Sequence, residues 1–513
     1  MNKRTDNEQG LIGKLGVLPA PNFPETLLVI LPPKPKKPTP LAVLVRRLQA
    51  EIQSRPPVPL KLRLPLDHVR SLYLFCPLQL VLSVLNDTGR QSERQRLLPA
   101  QHVVYFVIAS SLWRDKGLPD VWQQLHCLSG QPEPDPSAFT HARKRLGIRP
   151  MRTLFRRLVC SAEPLPGAFY KQWRLLALDG SVWEMPDTPE NRSFFGSASN
   201  QHSLAAFPQL RVAALCEVLT HAVIDFEYGP YNASELALSG PLLQRASSGC
   251  LVLMDRGLSY FEQVQAVRGR QSDVLARVKL SRALPVEEVL PDGSYLSHIY
   301  PDYNASRRKE GGIAVRVINY SHDDPRRASC GELTCLITTV LDPKLLSASE
   351  AVGLFGRRWD EETVLDEVKT VLQQAKAPLL RSKKPELVQQ ELYGLMLAHY
   401  LTRKVMAEAA QLLAEEPTRL SFKGSLEVLK QWLTEKTRQS DKRRYEVLLK
   451  KVAEKELREK RERSYRREKK GARQKWPMKR AGTAPPEQPS KPFAQAAYIL
   501  TPLPLPAEGG PDH

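Results

Sequence analysis

Apolar residues recur every three or four positions along the first third of the chain, a spacing that predicts helices. The pattern is clearest in "DHVRSLYLFCPLQLVLSVLNDTG" and "LPAQHVVYFVIASSLWRDKGLPDVWQQLHCL". A third stretch, "DPSAFTHARKRLGIRPMRTLFRRLV", predicts two short helices that meet at "LGIRP". Asp135 and Ser137 are candidate N-cap residues there, and Gly147 and Pro150 separate the pair. Residues 65–165 are therefore predicted to form a helical N-terminal domain.

Short apolar runs replace the helical spacing after residue 165. The segments "RLLALDGSVW", "QLRVAALCEV", "HAVIDFEYG" and "GCLVLMDRGL" predict buried strands. Residues 241–248 and 259–268 predict short helices beside the last of them. Strands mixed with helices indicate an α/β core, and 166–271 is its first part.

The segment 272–343 has a different residue pattern, in which strand-like apolar runs are separated by polar turns that contain Gly and Pro. We interpret it as a β-rich insertion that interrupts the core. Helical spacing resumes in "SASEAVGLFGRRWDEETVLDEVKTVLQQ" and "KPELVQQELYGLMLAHYLTRKVMAEAAQLL". Residues 344–440 are therefore predicted to hold the second part of the core and C-terminal helices.

Both ends of the chain have biased compositions. Residues 1–64 are rich in Pro and Lys, as in "LPPKPKKPTP", which predicts a flexible basic arm. Residues 441–513 form a tail that is first dense in Lys and Arg and then Pro-rich, and no structure is assigned to its last part. The basic part predicts nonspecific affinity for duplex DNA that weakens steeply with salt.

The net charge of +20 over 513 residues indicates the kind of partner that the protein binds. A surface this positive attracts polyanions, so nucleic acid is the first candidate partner and an anionic membrane the second. The alternative is that the charge only keeps the protein in solution. No secretory signal opens the chain, and no apolar run reaches the ~20 residues of a spanning helix, so a soluble, cytoplasmic protein is expected.

The seven cysteines are scattered and odd in number, which does not suit a disulfide framework. Cys330 and Cys335 are the only close pair. Because no second Cys or His pair flanks them at metal-binding spacing, a zinc site is not expected.

Three acidic residues occupy positions where they could act as catalytic or metal-binding carboxylates. Asp179 in "LLALDGS" and Asp255 in "CLVLMDRG" each follow an apolar strand and precede a glycine turn. Two such carboxylates from one sheet could converge, although each alone is more simply a residue that starts a turn. Glu362 lies on a helical stripe with Arg358 and Lys369, which alone would indicate a surface helix with ion pairs. Together, the three carboxylates supply the hard oxygen ligands that Mg²⁺ prefers.

These blocks resemble the DDE transposases of the insertion-sequence-four type. Their signature is Tyr-x2-Arg-x3-Glu-x6-Lys, and this chain has Phe355, Arg358, Glu362 and Lys369 at the same spacing. The segments "LALDGS" and "LVLMDRGL" resemble the blocks around the family's two aspartates. The match covers roughly residues 66–403, with phenylalanine where the pattern has tyrosine. The resemblance implies an RNase H-like α/β catalytic core interrupted by a β-rich insertion, with helical N-terminal and C-terminal segments.

The resemblance also implies a chemistry and its partners. Asp179, Asp255 and Glu362 would hold two Mg²⁺ ions, which Mn²⁺ can replace, and would cut DNA at the ends of an insertion sequence. The freed 3′-OH would then attack target DNA, so that a mobile element moves by cut-and-paste recombination. Arg358, Lys369 and Phe355 would contact DNA. Implied as well are double-stranded DNA as partner, a homodimer on paired ends, and a nucleoid-associated place in a prokaryotic cytoplasm.

Other residues are candidates for holding DNA or lining the cleft. Arg143, Lys144 and Arg145 stand on a short helix after a turn, where they could face DNA, or could form a basic helix that only packs on the core. Glu235 in "YNASELAL" is expected to start a helix, with Asn232 or Ser234 as cap, and could instead lie near the metals.

Two alternatives to an active transposase stay open. One is a catalytically silent derivative that occupies transposon ends. The other is a nuclease with the same core that hydrolyses DNA without joining strands.

Overall fold

The structure, a computed structural model, describes residues 69–93, 98–126, 133–200, 203–327, 329–358, 364–365, 367–372, 380–435, 440–457 and 489–502. By internal contacts the chain divides into two units, Met1–Val58 and Pro59–His513, and every described residue belongs to the second. The predicted arm and Glu362 lie outside the described residues, as does most of the predicted tail.

The N-terminal region is helical, as predicted. Asp135 caps one of these helices by accepting a hydrogen bond from the Ser137 amide, and Gly147 ends it with a positive φ of 69°. The last helix of the region continues as a π-helical turn, Arg156–Cys160. The helices are α1 (Val69–Leu72), α2 (Leu78–Asp87), α3 (Ala100–Leu112), α4 (Leu118–His126), α5 (Pro136–Leu146) and α6 (Arg149–Phe155).

The central region carries a large mixed sheet with helices between its strands. Its first part is β1 (Phe169–Tyr170), β2 (Trp173–Glu184), α7 (Pro189–Phe195), β3 (Ser199–Asn200), β4 (Ser203–Leu204), β5 (Gln209–Glu217), β6 (Val223–Pro230), α8 (Glu235–Arg245), β7 (Cys250–Met254), α9 (Phe261–Arg268) and β8 (Asp273–Val278). Then follow β9 (Glu288–Val289), β10 (Tyr295–Ile299), α10 (Tyr303–Arg308), β11 (Ile313–His322) and β12 (Thr334–Thr338).

Helices dominate the remainder. They are α11 (Ala348–Arg357), a π-helical segment Glu367–Leu372, α12 (Pro385–Leu413), a 3-10 turn Pro417–Arg419, α13 (Phe422–Thr434), α14 (Asp441–Ala453) and α15 (Phe493–Ala496), followed by the strand β13 (Ala497–Ile499). Across the described ranges, no helix combines the length and apolarity that a membrane crossing requires.

The core sheet has the strand order β6-β5-β2-β7-β8. Strand β2 pairs antiparallel with β5, which pairs antiparallel with β6. Strand β7 lies parallel to β2, and β8 lies parallel to β7. This order and these directions are those of an RNase H-like fold, so the predicted fold class is confirmed.

The segment that begins at β8 enlarges this sheet. Strand β12 pairs antiparallel with β8, and β11, β10 and β9 follow in order, so the strands of the insertion continue the core sheet sideways. Strand β8 itself belongs to the five-stranded core. The sequence placed it at the start of the insertion, although its parallel partner is β7, the strand before it in the chain.

The two faces of the sheet bury different partners. Along β2, Leu176 and Leu178 lie in the larger core, which includes the N-terminal helices and α12. Leu175 and Ala177 lie in a second core, which includes α11. Successive residues of a strand point to opposite faces. In the first part of β2 the odd-numbered residues therefore face α11, whereas Trp183, near the end of the strand, lies in the larger core.

A C-terminal segment, residues 489–502, returns to the sheet. Strand β13 pairs antiparallel with β11 at Tyr320, Ser321 and His322. The Phe493 ring packs against His322 and beneath the Arg327 guanidinium. It also lies so close to Gly356 that an added Cβ there would stand 2.5 Å from its ring. The segment, to which the sequence assigned no structure, therefore covers the last turn of α11.

Replacing Phe493 by alanine is expected to destabilise the fold by about 2 kcal/mol, because a half-buried aromatic ring would lose its apolar contacts. Urea unfolding followed by tryptophan fluorescence measures the loss. Tyr498→Ala is the matched control, since this side chain is 44% exposed on the neighbouring strand and should cost little. Equal effects of the two variants would show that the segment does not contribute through Phe493.

Candidate active site

Asp179 and Asp255 follow residues that are paired in neighbouring strands. The last pairs of the parallel β2–β7 ladder join Ala177 to Leu253 and Leu178 to Met254. The next residue on each strand is the aspartate, and both have the odd parity that faces α11. Two carboxylates one register step beyond a parallel pair lie side by side at the carboxyl end of the β2–β7 ladder. Asp255 follows the end of β7 as predicted, but β2 continues beyond Asp179 to Glu184, so the expectation that Asp179 ends its strand was wrong. The structure therefore brings these two predicted residues together.

The surroundings of Asp179 control its charge. Partial burial raises the pKa of its carboxyl, and the negative charge of Asp255 raises it further. The Gly180 amide, which donates a hydrogen bond, and the positive charges of Arg358 and Lys369 pull the pKa in the opposite direction. Four predicted site residues are thus close enough to act on one another electrostatically.

Arg358 comes to this edge from the end of α11. Its side chain is only 4% exposed, and one terminal nitrogen lies 3.8 Å from Oδ2 of Asp255. The guanidinium also sits 5.7 Å from the centre of the Phe355 ring, as a cation–π pair. Arg358 is therefore held between an aromatic ring on its own helix and a site carboxylate.

Phe355 does not have the exposure that a DNA contact requires. It is 2% exposed and belongs to the core between α11 and the sheet. The expectation that it contacts DNA is corrected on this ground. A phenylalanine suits the position because a tyrosine hydroxyl buried there would need a hydrogen-bond partner. The ring acts through Arg358, whose direction it helps to set.

Glu362 lies outside the described residues, but residues on both sides of it are placed. Val364 and Leu365 are buried, and the π-helical segment follows them. Glu367, in that segment, makes an ion pair with Arg403 of α12, and its Oε2 lies 3.5 Å from Nε2 of His399. The chain before and after residue 362 is therefore fixed near Asp179, by Arg358 on one side and Lys369 on the other.

Glu235 is a further carboxylate at this edge, and the sequence favoured a simpler role for it. It occupies the first turn of α8, where Ser234 is the N-cap, as expected. Its carboxyl covers Gly180, the residue after Asp179. Burial and the charges of Asp179 and Asp255 raise its pKa, while Arg211, 3.9 Å away, opposes the rise. The only signal in the sequence was an acidic residue just after a strand.

Replacing Gly180 by alanine should disturb this carboxylate without unfolding the protein. The new Cβ would collide with the Glu235 carboxyl, which is the free end of a side chain and can move away. We expect strand cleavage to fall between about tenfold and 10²-fold, because small displacements at reacting groups have large effects. Gly240→Ala, on α8 with open space around it, should leave activity unchanged. Full activity of the Gly180 variant would place Glu235 outside the chemistry.

The three basic candidates of α5 have different environments. Arg143 is turned inward and donates hydrogen bonds to Gln390 and to the Leu387 carbonyl of α12. It therefore joins the N-terminal helices to α12 and is not arranged for base contacts. Lys144 and Arg145 are exposed. The basic pattern of the sequence could not separate the inward residue from the outward ones.

The donor set at the sheet edge suits a hard divalent cation. Asp179 and Asp255 present carboxylate oxygens from adjacent strands, the ligand type of Mg²⁺ and Mn²⁺. Among the described ranges, which leave out Glu362, no group of three acidic, His or Cys side chains has the arrangement of a metal site. The two aspartates therefore fit such an ion in their chemistry.

Comparison with known proteins decides the family. The profile described as "Transposase DDE domain" matches residues 171–401, and that described as "Insertion element 4 transposase N-terminal" matches residues 66–156. The chain belongs to the insertion-sequence-four family of DDE transposases. The match begins just before β2 and ends within α12, so this transposase has both aspartates inside the family's catalytic domain.

Two similar proteins illustrate the likeness. Transposase InsG for insertion sequence element IS4, from Escherichia coli strain K12, is 29% identical over 366 residues, which cover 69% of this chain and 80% of the relative. Among solved structures, the piggyBac transposase synaptic complex with hairpin DNA covers 75% of this transposase and 85% of the other chain. That likeness is distant, with a TM-score of 0.39 and 10% identity.

Proposed function

We propose that this transposase excises and inserts an insertion sequence by two-metal chemistry at Asp179, Asp255 and Glu362. The observation that carries the proposal is the meeting of two aspartates from neighbouring parallel strands with Arg358 and Lys369, which flank residue 362 in sequence. Mg²⁺ or Mn²⁺ held there would polarise a phosphodiester and activate the attacking oxygen. Residue 362 would complete the ligand set.

The protein's own residues then have distinct tasks. Asp179 is fixed within strand β2 and Asp255 directly follows strand β7, so the backbone holds both carboxylates in place while DNA enters. Arg358 offsets their negative charge from a buried position, which lowers their mutual repulsion. Lys369, partly exposed, is placed to hold a phosphate near the scissile bond as a point charge.

The reaction proceeds in two displacements of the same kind. Water attacks the phosphodiester at the element's end, which breaks the P–O bond to the 3′ oxygen and leaves a 3′-OH. That hydroxyl then attacks a phosphodiester of target DNA, and the bond formed replaces the bond broken, so no ATP is needed. Because two ends must be processed together, we propose a homodimer on paired ends.

Purified protein, DNA carrying candidate ends, a target plasmid and Mg²⁺ test the proposal. Joined products are the expected result. Binding without cleavage would instead favour a silent derivative that occupies ends, and hydrolysis without joining would favour a nuclease. Sizing of the protein with end DNA, in which two chains are expected with two ends, tests the dimer separately.

A further inference from the structure

A basic pocket lies on the N-terminal side of the molecule, away from the two aspartates. Its volume is about 500 Å³, and it opens between the helices α3 and α5 and the segment that leads into α12. Six cationic side chains line it, those of Arg114, Arg143, Lys144, Arg381, Lys383 and Lys384, against a single carboxylate, Glu391.

The protein's own groups leave this positive charge largely uncompensated. Glu391 is buried and fully engaged, since it pairs with Arg114 and accepts hydrogen bonds from the amides of Arg381 and Ser382. Burial and the nearby charges of Arg114 and Arg143 lower the pKa of Arg381, which reflects repulsion among the guanidinium groups. A cavity with this excess of charge is arranged to take an anion.

Two of the lining lysines are available to a ligand. Lys144 and Lys383 are exposed, and within the described residues neither ammonium group forms an ion pair with a carboxylate. Lys384 already pairs with Glu190, and Arg143 is engaged with α12. Lys144 comes from α5 and Lys383 from the turn before α12, so a ligand held by both would bridge the N-terminal helices and the catalytic region.

The segment that lines one side of the pocket is tied to the strand that carries Asp179. The Leu380 amide donates a hydrogen bond of 2.9 Å to the Glu184 carbonyl, the last residue of β2. Asp179 is five residues earlier on the same strand, which corresponds to about 17 Å at the usual rise. Leu380 precedes the lining residue Arg381, so we take this span as the approximate separation of Asp179 from the near edge of the pocket. Phosphates of one DNA strand are 3.4 Å apart along the axis, so the span corresponds to about five base pairs.

We propose that this pocket binds phosphodiester groups of duplex DNA about five base pairs from the bond that is cut. The inference rests on the proposed transposase function, because it assumes that DNA lies across the carboxyl end of β2. The lysines act as point charges on the phosphates, and the contact sets where the duplex lies relative to Asp179 and Asp255. It carries no sequence information of its own.

The test uses the full chain with both lysines replaced, Lys144→Ala/Lys383→Ala, and end DNA with single neutral methylphosphonates. Loss of two phosphate contacts should weaken binding about 30-fold at 0.15 M salt and make the slope of log K against log salt about 1.8 units shallower. A methylphosphonate about five base pairs from the cut should weaken binding by the wild type and have no further effect on the variant. Lys344→Ala/Lys423→Ala, two exposed lysines elsewhere, removes the same charge and should bind as the wild type does.

The outcomes separate this inference from the function it assumes. If the Lys144/Lys383 variant binds end DNA with wild-type affinity and salt slope, the pocket is not a phosphate site, whereas joined products from the wild type would still support the transposase. If the control pair weakens binding equally, general charge explains the effect and the pocket proposal fails. A wild type that neither binds nor cuts end DNA would overturn both.

Discussion

Replacing Asp255 by asparagine is expected to abolish strand cleavage and joining while end binding is retained. Asparagine has the same shape but removes the negative charge that a divalent cation needs from this ligand. The loss should be at least about 10³-fold, or about 4 kcal/mol in the barrier. The Asp255 side chain is 46% exposed, so folding should be unaffected. Gel assays of cleavage and of end binding, run on the same preparation, measure the two effects.

Companion variants sharpen this result. Asp179→Asn should give an equal loss, and the double variant should lose no more than either single one, because groups that act as one unit are not additive. Asp441→Asn removes the same charge from the exposed first turn of α14 and should leave cleavage unchanged. Strand joining by the Asp255 variant would mean that the reaction occurs elsewhere on the molecule.

The two aspartates could be singled out from local pattern, but their convergence could not be derived from it. An apolar run followed by Asp-Arg-Gly does mark the end of β7, whereas β2 continues through Asp-Gly to Glu184. Such a run does not tell which strands are neighbours. Strands β2 and β7 meet in parallel although six further strand or helix elements lie between their positions in the chain. The residue pattern only allowed Asp179 and Asp255 to converge, and the resemblance to a family assigned both to one site.

The signature stretch shows where helical periodicity misleads. A continuous α-helix would place Arg358 and Lys369 on one stripe. In the structure α11 ends at Arg357, and Glu367–Leu372 is π-helical, so the α period does not hold across the stretch. Both cations nevertheless act on Asp179, because tertiary contacts of the flanking residues set their positions. The roles of these residues stay a prediction, and the positions of the two cations do not depend on the α-helical stripe from which that prediction began.

Burial explains the other differences. Arg143 and Lys144 are neighbours in a basic run, yet one contacts α12 and the other faces solvent. The amino-acid pattern gives charge and spacing, but it does not show which residue will contact Arg143 from a position 244 residues further along the chain. The C-terminal segment is a similar case, since a Pro-rich composition predicts no fold of its own. Its order comes from β11 and the end of α11, which give its backbone and Phe493 partners.

Replacing Glu367 by glutamine is expected to destabilise the fold by about 3 kcal/mol at pH 7. Burial alone would raise the pKa of this carboxyl, but the charge of Arg403 and the hydrogen bond from His399 outweigh it and lower the pKa to about 2. A folded-state pKa well below the usual value near 4.5 corresponds to about 3 kcal/mol of stability. Glutamine would leave the guanidinium of Arg403, itself 2% exposed, without a countercharge.

The difference in stability between the wild type and Glu367→Gln should decrease as the pH falls. Because the pKa of Glu367 is depressed by folding, its contribution is full above about pH 4.5 and is lost as the pH falls toward about 2. Urea unfolding of wild type and Glu367→Gln should therefore differ fully at pH 7 and progressively less from pH 4.5 downward. Glu415→Gln, exposed beyond the end of α12, should match the wild type throughout.

A second substitution tests whether the lost stability comes from the ion pair. In Glu367→Gln/Arg403→Gln the buried unpaired charge is gone, so part of the stability should return relative to the single variant. Glu367 lies two residues before Lys369 and five after Glu362, so its ion pair could both stabilise the fold and place these signature residues. Restored stability without restored cleavage would separate these two roles. The ion pair would then be needed to place the signature residues as well as to hold the fold. If Arg403→Gln adds its full separate cost to that of Glu367→Gln, the two side chains do not act as a pair.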